Sequence, residues 1–224
     1  VLASRSGDPR RCIIDCEGGR ELSQWGLAVT SGEKRTTVIR DITIRNAWRG
    51  YDGGALRIKS SSPSIVNCRF VENGTYSAKG QGIGGAIGIS SGSDPLVRDC
   101  LFIGNYARDC AAAIHVSNSA GEIRHCRFEN NYALHGGSAI FCVASQTRIS
   151  HCLFRANSCG PGHWGSSLHF DRGGADAIVE HCTFRDDHAP GEVVFARRGA
   201  APQLRNCLIV HNGPGAAVFF HEAG

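Results

Sequence analysis

The chain repeats one pattern of apolar and polar positions along most of its length. A cysteine follows a polar residue or a histidine, Phe or Ile comes two positions later, and Asn or Asp comes three positions after that. A second apolar block follows each copy, and its first instance reads Gly-Gly-Ala-Leu-Arg-Ile at residues 53–58. Seven copies cover residues 42–220, with Ile42 and Ile44 in the first. The remaining six are marked by cysteines 25 to 32 residues apart: Cys68, Cys100, Cys126, Cys152, Cys182 and Cys207.

The length of the repeat predicts the architecture. Each block alternates apolar and variable residues over four to six positions, which is the period of a β-strand. Two or three short strands in about 26 residues leave no room for a crossover helix. The sequence therefore predicts an all-β protein, a single right-handed parallel β-helix of seven to eight coils. We expect residues 1–224 to form one domain, with residues 1–41 as opening coils and residues 42–220 as the clear repeats.

Stacking in register would turn each repeated residue into a column along the axis. Cys, Phe and Ile columns are expected to face inward, where small and large side chains fill the cross-section together. A ladder of amides is expected at a turn, because an amide side chain can bond its own turn and the equivalent amide one coil away. The ladder positions are Asn73, Asn105, Asn131, Asn157, Asp187 and Asn212.

The eleven cysteines do not predict a disulfide framework. Equivalent side chains of stacked strands lie farther apart than the Cβ atoms of a disulfide, so we interpret the six repeat cysteines as buried thiols. Cys12, Cys16, Cys110 and Cys159 lie outside this column and are open to pairing or metal binding. The sequence has no Cys-x-x-Cys pair, which argues against zinc, and no cofactor is expected.

Composition narrows the function classes. Of the 224 residues, 42% are hydrophobic and 20% are charged, which excludes a disordered tail. No apolar run approaches the roughly 18 residues of a membrane span, so direct membrane insertion is not expected. A net charge of +4 with scattered Lys and Arg does not favour a nucleic-acid partner.

The Phe-x-x-Asn and Gly-Gly-Ala-Ile repeats resemble those of the chlamydial polymorphic membrane proteins. More generally, the chain resembles bacterial right-handed parallel β-helix proteins of the pectin-lyase-like superfamily. The opening Cys-Ile-Ile-Asp-Cys-Glu-Gly-Gly at residues 12–19 resembles their first coils, so the resemblance covers about residues 8–220. It implies the fold and an exported protein, extracellular or at the cell surface. It does not imply one function, because the superfamily includes polysaccharide lyases, hydrolases, adhesin passengers and structural spines.

Both ends of the sequence read as open. Residues 1–4 continue a strand pattern, and the chain stops just after Phe219 and Phe220 without a polar cap. Because an uncapped solenoid exposes unpaired backbone groups, we expect either a segment of a longer protein or head-to-tail self-association.

Function is expected on outward strand positions and loops, because packing occupies the core. The outward position of the second block is expected to form an exposed apolar stripe, which predicts a contact surface unless a loop or a partner segment covers it. Its residues are Arg57, Gly88, His115, Phe141, His169, Val194 and Phe219.

The loops before the second block gather all four tyrosines and two of the three tryptophans. Rings beside charged side chains suit sugar stacking or a protein hot spot. Packing over the turn is the alternative for Tyr106 and Tyr132. The candidate binding residues on this edge are Trp48, Tyr51, Tyr76, Lys79, Tyr106, Arg108, Tyr132, His163 and Trp164.

Two further clusters are weaker candidates. A histidine column suits either a shared metal ion or bonding within the turn, and the turn role is favoured because Asn or Asp takes the same place in other coils. Its members are His125, His151 and His181. The densest group for acid–base catalysis is Asp186, Asp187 and His188, of which Asp187 is also a ladder position.

The leading hypothesis is a non-catalytic extracellular β-helix, adhesin-like or structural, that binds a glycan or a surface protein along its aromatic loop edge. A polysaccharide lyase or hydrolase is the first alternative, although the Asn-Thr-Asp and Gly-His-Gly segments of polygalacturonases are missing. A filament subunit that assembles through its uncapped ends is the second alternative.

Overall fold

The computed structural model describes residues 1–77, 82–163, 165–173, 176–186, 192–211 and 216–221. These residues form a right-handed parallel β-solenoid of about seven turns, so the predicted fold class is confirmed. The described residues contain one turn of 3₁₀ helix at Pro9–Arg11 and no α-helix. None of their helices is long and apolar enough to cross a membrane.

Four sheets of parallel strands run along the solenoid, and the chain visits them in the order sheet 1, 2, 3, 4 in each full coil. Sheet 1 contains Leu2–Ala3, Val38–Arg40, Ser64–Val66, Leu96–Arg98, Ala120–Arg124, Gln146–Ser150, Ile178–Glu180 and Gln203–Arg205. Sheet 2 contains Ile13–Asp15, Thr43–Arg45, Arg69–Val71, Leu101–Ile103, Arg127–Glu129, Leu153–Arg155, Thr183–Asp186 and Leu208–His211.

Sheet 3 is small: each of its strands is two residues long, and five coils contribute one strand each. Its strands are Trp48–Arg49, Gly74–Thr75, Tyr106–Ala107, Tyr132–Ala133 and Ser158–Cys159. Sheet 4 contains Leu27–Val29, Leu56–Lys59, Ile87–Ser90, Ile114–Ser117, Ile140–Val143, Leu168–Asp171, Val194–Arg197 and Val218–His221. Five coils thus have four strands rather than the predicted two or three, because the two residues after the ladder position are extended.

The predicted aromatic column lies in sheet 2. Five rings stack with centroids 4.6–5.0 Å apart and planes within 7° of parallel. All five are fully buried: Phe70, Phe102, Phe128, Phe154 and Phe184. Burying a side chain of this size contributes about 1.5–3 kcal/mol to folding, so the column is a main source of stability. Aliphatic columns of sheets 1 and 4 close the same core.

The predicted amide ladder is present in the described coils, with four fully buried members, Asn73, Asn105, Asn131 and Asn157. The Oδ1 atom of Asn105 accepts hydrogen bonds from the backbone nitrogen and from Nδ2 of Asn73, both at 3.1 Å. The Nδ2 atom of Asn105 donates to the Phe70 carbonyl at 3.1 Å and to Asn131 Oδ1 at 2.9 Å. Each amide therefore joins two coils. The ladder positions Asp187 and Asn212 lie outside the described residues.

A left-handed bend precedes each repeat cysteine. The residue at the bend has φ between 49° and 56°, and Asn, Asp and His adopt this conformation more readily than most residues. These residues are Asn67, Asp99, His125, His151, His181 and Asn206. The backbone therefore explains the polar residue or histidine that begins every repeat.

The cysteines are free thiols, eight of them buried. In the repeat column each Sγ lies 3.6–3.8 Å from a carbonyl oxygen of the preceding coil, which suits a weak S–H donor. Burial raises the pKa of Cys142 in sheet 4 to about 12 and raises the pKa of Cys126 well above its ordinary value. Cys12 and Cys16 are half-buried, and Cys110 and Cys159 are buried.

One register prediction is wrong. Val194 pairs with Leu168 and joins the core, whereas Phe195 pairs with His169 and takes the outward position of sheet 4. Val193, Val194 and Phe195 are consecutive apolar residues, so the alternation of apolar positions does not show which of them faces inward.

Candidate functional site

The candidate site is built on sheet 3 and is called here the aromatic edge: Arg20, Trp25, Trp48, Arg49, Tyr51, Tyr76, Tyr106, Arg108 and Tyr132. Trp48, Tyr106 and Tyr132 occupy equivalent places in their coils, and Gly74 takes that place in the coil between Trp48 and Tyr106. A Cβ at Gly74 would lie only 2.7 Å from a carbon of the Trp48 ring. Glycine at position 74 therefore leaves space for the Trp48 ring to extend across the neighbouring coil.

The Trp48 ring is the first of three stacked rings. The centroids of Trp48 and Tyr106 are 5.7 Å apart with planes at 27°, and those of Tyr106 and Tyr132 are 6.0 Å apart with planes at 18°. All three side chains are half-buried. Their faces are turned toward one another, so the stack is a platform rather than a set of open rings.

A segment from the first coil extends the edge. The Gln24 carbonyl accepts a hydrogen bond from the Trp48 backbone nitrogen at 2.7 Å, and the two residues form an antiparallel bridge. This pairing brings Arg20 over the Tyr106 ring, with Cζ 4.6 Å from the centroid. Arg20 and Trp25 could not be predicted from the repeat, because they lie before it and no periodicity places them.

The open rings lie beside this platform. Trp25 is 49% exposed and Tyr51 is 54% exposed, which is unusual for side chains of this size. The Arg49 guanidinium carbon lies 4.9 Å from the centroid of Trp25, and that of Arg108 lies 4.9 Å from the centroid of Tyr76. The edge thus combines exposed rings with guanidinium groups that lie over ring faces.

The charges of the edge are unbalanced. Among the described residues, Arg20, Arg49 and Arg108 form no ion pair with a carboxylate. Burial, followed by the charge of Arg57, lowers the pKa of Arg49, and the carboxylate of Asp52 opposes this effect. The Nη1 atom of Arg49 is buried without a hydrogen-bond partner in the described part of the chain.

The two nearby carboxylates are engaged by histidines. Asp52 Oδ1 lies 3.3 Å from His115 Nδ1, and Asp109 Oδ1 lies 2.9 Å from His135 Nδ1. His163 packs edge-on against His135 with centroids 4.6 Å apart. Burial and the neighbouring His135 lower the pKa of His163. The candidates Lys79 and Trp164 lie outside the described residues.

The predicted exposed stripe on sheet 4 faces outward but is covered. His115, Phe141 and His169 are only 5%, 8% and 1% exposed. Phe141 forms a cluster with Cys110 and Ala111, and Ile83, from a loop before sheet 4, packs against that cluster. Of the two alternatives that the sequence left open for the stripe, coverage therefore holds for these three residues.

The covered stripe has two polar features. A Cβ at Gly88 would lie 2.1 Å from Asp52 Oδ1, so this glycine makes the notch that holds the carboxylate near His115. His169 lies between the rings of Phe141 and Phe195, and neither of its nitrogens has a hydrogen-bond partner among the described residues. Burial, reinforced by Arg197 and Arg198, lowers the pKa of His169 to about 3.

The histidine column is exposed at the bend between sheets 1 and 2. The rings of His125, His151 and His181 stack with centroids 4.9 and 5.0 Å apart and planes within 25° of parallel. Parallel rings direct their nitrogen lone pairs along parallel lines, which does not suit convergence on one ion. No group of three or more His, Cys, Asp or Glu among the described residues is arranged to hold a metal.

The catalytic candidates cannot be placed together. Asp187 and His188 lie outside the described residues, as does the side chain of Asp186, although its backbone ends the strand Thr183–Asp186.

Comparison with known proteins gives one match. A family model described as "Right handed beta helix region" matches residues 14–172, which is most of the chain. No curated protein and no solved structure gives a significant match.

Proposed function

The chain belongs to the right-handed beta-helix family, and from that premise we propose that it is a non-catalytic, surface-exposed module that binds a glycan along its aromatic edge. The observation that carries the proposal is the exposure of Trp25 and Tyr51 beside a stacked ring platform. Large rings left open to water on a rigid sheet edge are typical of contact surfaces. The polar tips and apolar faces of such rings suit the mixed surface of a sugar.

The arrangement favours a glycan over a globular protein partner. Ring and guanidinium pairs recur on different coils: Trp25 with Arg49, and Tyr76 with Arg108. Coils are spaced at about 4.8 Å, so the solenoid offers similar groups at regular intervals. A polymer of repeating units can occupy such an array with the same contacts at each unit. The platform of Trp48, Tyr106 and Tyr132 would hold the edge rigid.

The test is binding to soluble polysaccharides by isothermal titration calorimetry, with dextran, alginate and dextran sulfate as probes. The double variant W25A/Y51A is expected to lose about tenfold or more in affinity for the polysaccharide that binds, because each ring contributes stacking area. L208A is the matched control, since Leu208 is a 59% exposed apolar residue on sheet 2. Equal affinities for all three proteins would contradict the proposal.

The enzymatic alternative lacks a described pair of catalytic groups, since its candidates Asp187 and His188 lie outside the described residues. A screen for reducing sugars and unsaturated products on the same polysaccharides tests it. Surface location is part of the proposal and is checked by antibody labelling of intact producing cells. Light scattering against protein concentration tests the filament alternative.

A further inference from the structure

The six repeat cysteines form a column whose spacing is too long for disulfides but suits another link between thiols. Neighbouring members lie in successive coils, directly before strands of sheet 2 that pair in register. Such strands are about 4.8 Å apart, and the Phe rings of the same coils are 4.6–5.0 Å apart. We propose that neighbouring thiols of this column bind a soft monovalent metal ion, Cu(I), in a two-coordinate bis-thiolate site.

The thiols repeat with one orientation along the column. In each of the six coils, Sγ lies 3.2–3.4 Å from the carbonyl oxygen two residues earlier. It also lies 3.6–3.8 Å from a carbonyl oxygen of the preceding coil. Because both contacts recur in every coil, the side chains share one rotamer. Successive Sγ atoms are therefore separated by the coil spacing.

This separation fits one metal ion between two sulfur atoms. A bond from a thiolate to a first-row metal ion is about 2.3 Å long in zinc sites, so two bonds in a line span about 4.6 Å. Side chains stand roughly perpendicular to a sheet, so an ion on the line between two Sγ atoms meets each Cβ–Sγ bond near a right angle. Divalent sulfur prefers an angle of this kind. The ion therefore fits without a change in the register of the coils.

The donor set selects the ion. Thiolates are soft ligands and favour Cu(I), whereas a structural zinc site requires four ligands. Each pair of neighbouring thiols supplies two ligands, and the described residues contain no group of three or more His, Cys, Asp or Glu that could hold a metal. Two thiols and one Cu(I) give a bis-thiolate complex of charge −1 and release two protons. The oxidation state of the metal ion and of sulfur does not change.

An open groove leads to the middle of the column. Its volume is about 580 Å³, and its lining includes Cys126, Cys152 and the histidine column. The two cysteines are only 1% and 3% exposed, so they form the floor of the groove. Imidazole also binds copper ions, so an ion that enters the groove meets weaker ligands before it reaches the thiols. The groove therefore gives a metal ion a path to a buried pair of thiols.

The chain also has buried cysteines that lack this arrangement. In sheet 4, Cys142 pairs in register with Val116 and Phe170. In sheet 3, Cys159 pairs in register with Ala133. Neither cysteine has an in-register thiol neighbour in the described strands. The proposed site therefore depends on the repeat column and not on the number of cysteines in the chain.

The experiment measures Cu(I) binding by competition with bicinchoninate under anaerobic conditions, with the fold of each variant checked by far-ultraviolet circular dichroism. The test variant is C100S/C152S/C207S. It removes every second thiol of the column, and none of the three that remain lie in successive coils: Cys68, Cys126 and Cys182.

The matched control is C68S/C100S/C207S. It removes the same number of column thiols but leaves three in successive coils: Cys126, Cys152 and Cys182. Both variants keep the histidine column and the groove. A difference between them therefore measures the effect of neighbouring thiols alone.

We expect wild type and the control to bind at least one equivalent of Cu(I), and the test variant to bind about a hundredfold or more weakly. X-ray absorption at the copper edge of loaded wild type should show two sulfur neighbours and no nitrogen, which decides the question even if a variant does not fold. Nitrogen neighbours would overturn the proposal in favour of the histidine column. Equal affinities of the two variants, or no binding by wild type, would also overturn it.

Discussion

Replacing His169 by phenylalanine should remove an acid-sensitive part of the protein's stability. His169 is 1% exposed, and its two ring nitrogens have no hydrogen-bond partner in the part of the chain that the structure describes. Burial lowers its pKa from 6.5 to about 3, so the folded protein holds this imidazole neutral where the unfolded chain would protonate it. Because the folded pKa is the lower one, stability is fully present above about pH 6.5 and is lost as the pH falls toward 3.

The magnitude follows from the two pKa values. Below pH 6.5 the unfolded chain binds one more proton at this site, which costs about 1.4 kcal/mol of stability per pH unit. Between pH 7 and pH 5 the loss sums to about 2 kcal/mol. H169F keeps the aromatic stack between Phe141 and Phe195 but carries no titratable group, so this contribution should vanish.

The assay is urea denaturation at pH 7 and pH 5 for wild type, H169F and F195L. The quantity to compare is the difference in the free energy of unfolding between the two pH values. A packing change that alters stability equally at both pH values cancels in this difference. H169F should show a difference smaller than wild type by about 2 kcal/mol. F195L, which trims a neighbouring ring, should lower stability at both pH values by a similar amount. An H169F difference equal to that of wild type would refute the reasoning.

Three further predictions concern the columns and the edge. N131A should lower the free energy of unfolding by about 2–4 kcal/mol in urea titrations, because it removes hydrogen bonds that the amides of Asn105 and Asn157 make to Asn131. Q146A, at an exposed strand position, is the control and should not lower it. Thiol titration with Ellman's reagent should find at most three reactive cysteines in the native protein and eleven after unfolding, and fewer than eleven after unfolding would indicate disulfides. G74A should push the Trp48 ring off Tyr106 and weaken the near-ultraviolet circular dichroism, and an unchanged spectrum would contradict the stack.

Much of the fold could be predicted because the repeat shows both the strand period and the residues that stack along the axis. The positions of the buried Phe and Asn columns follow from the spacing alone, since in-register strands place equal residues above one another. The register of Val194 and Phe195 could not be predicted in this way. Val193, Val194 and Phe195 are all apolar, so apolar alternation alone does not define the register of this stretch.

The candidate site was less predictable because it depends on segments that do not repeat. Trp25 and Arg20 reach the aromatic edge through an irregular segment that pairs with Trp48. The sequence left open whether a loop covers the outward residues of sheet 4, and in the structure Phe141 clusters with Cys110, with Ile83 packed against that cluster. Strand periodicity gives the face on which a side chain lies, but not whether a loop of variable length covers that face.

The central claim is that equivalent side chains of successive coils lie in register along one axis. Nuclear Overhauser effects between selectively labelled phenylalanine rings test it directly. Within the series Phe70, Phe102, Phe128, Phe154 and Phe184, we predict contacts only between successive members, whose centroids are 4.6–5.0 Å apart. Contacts that skip a member of the series, or no contact between Phe102 and Phe128, would contradict the account.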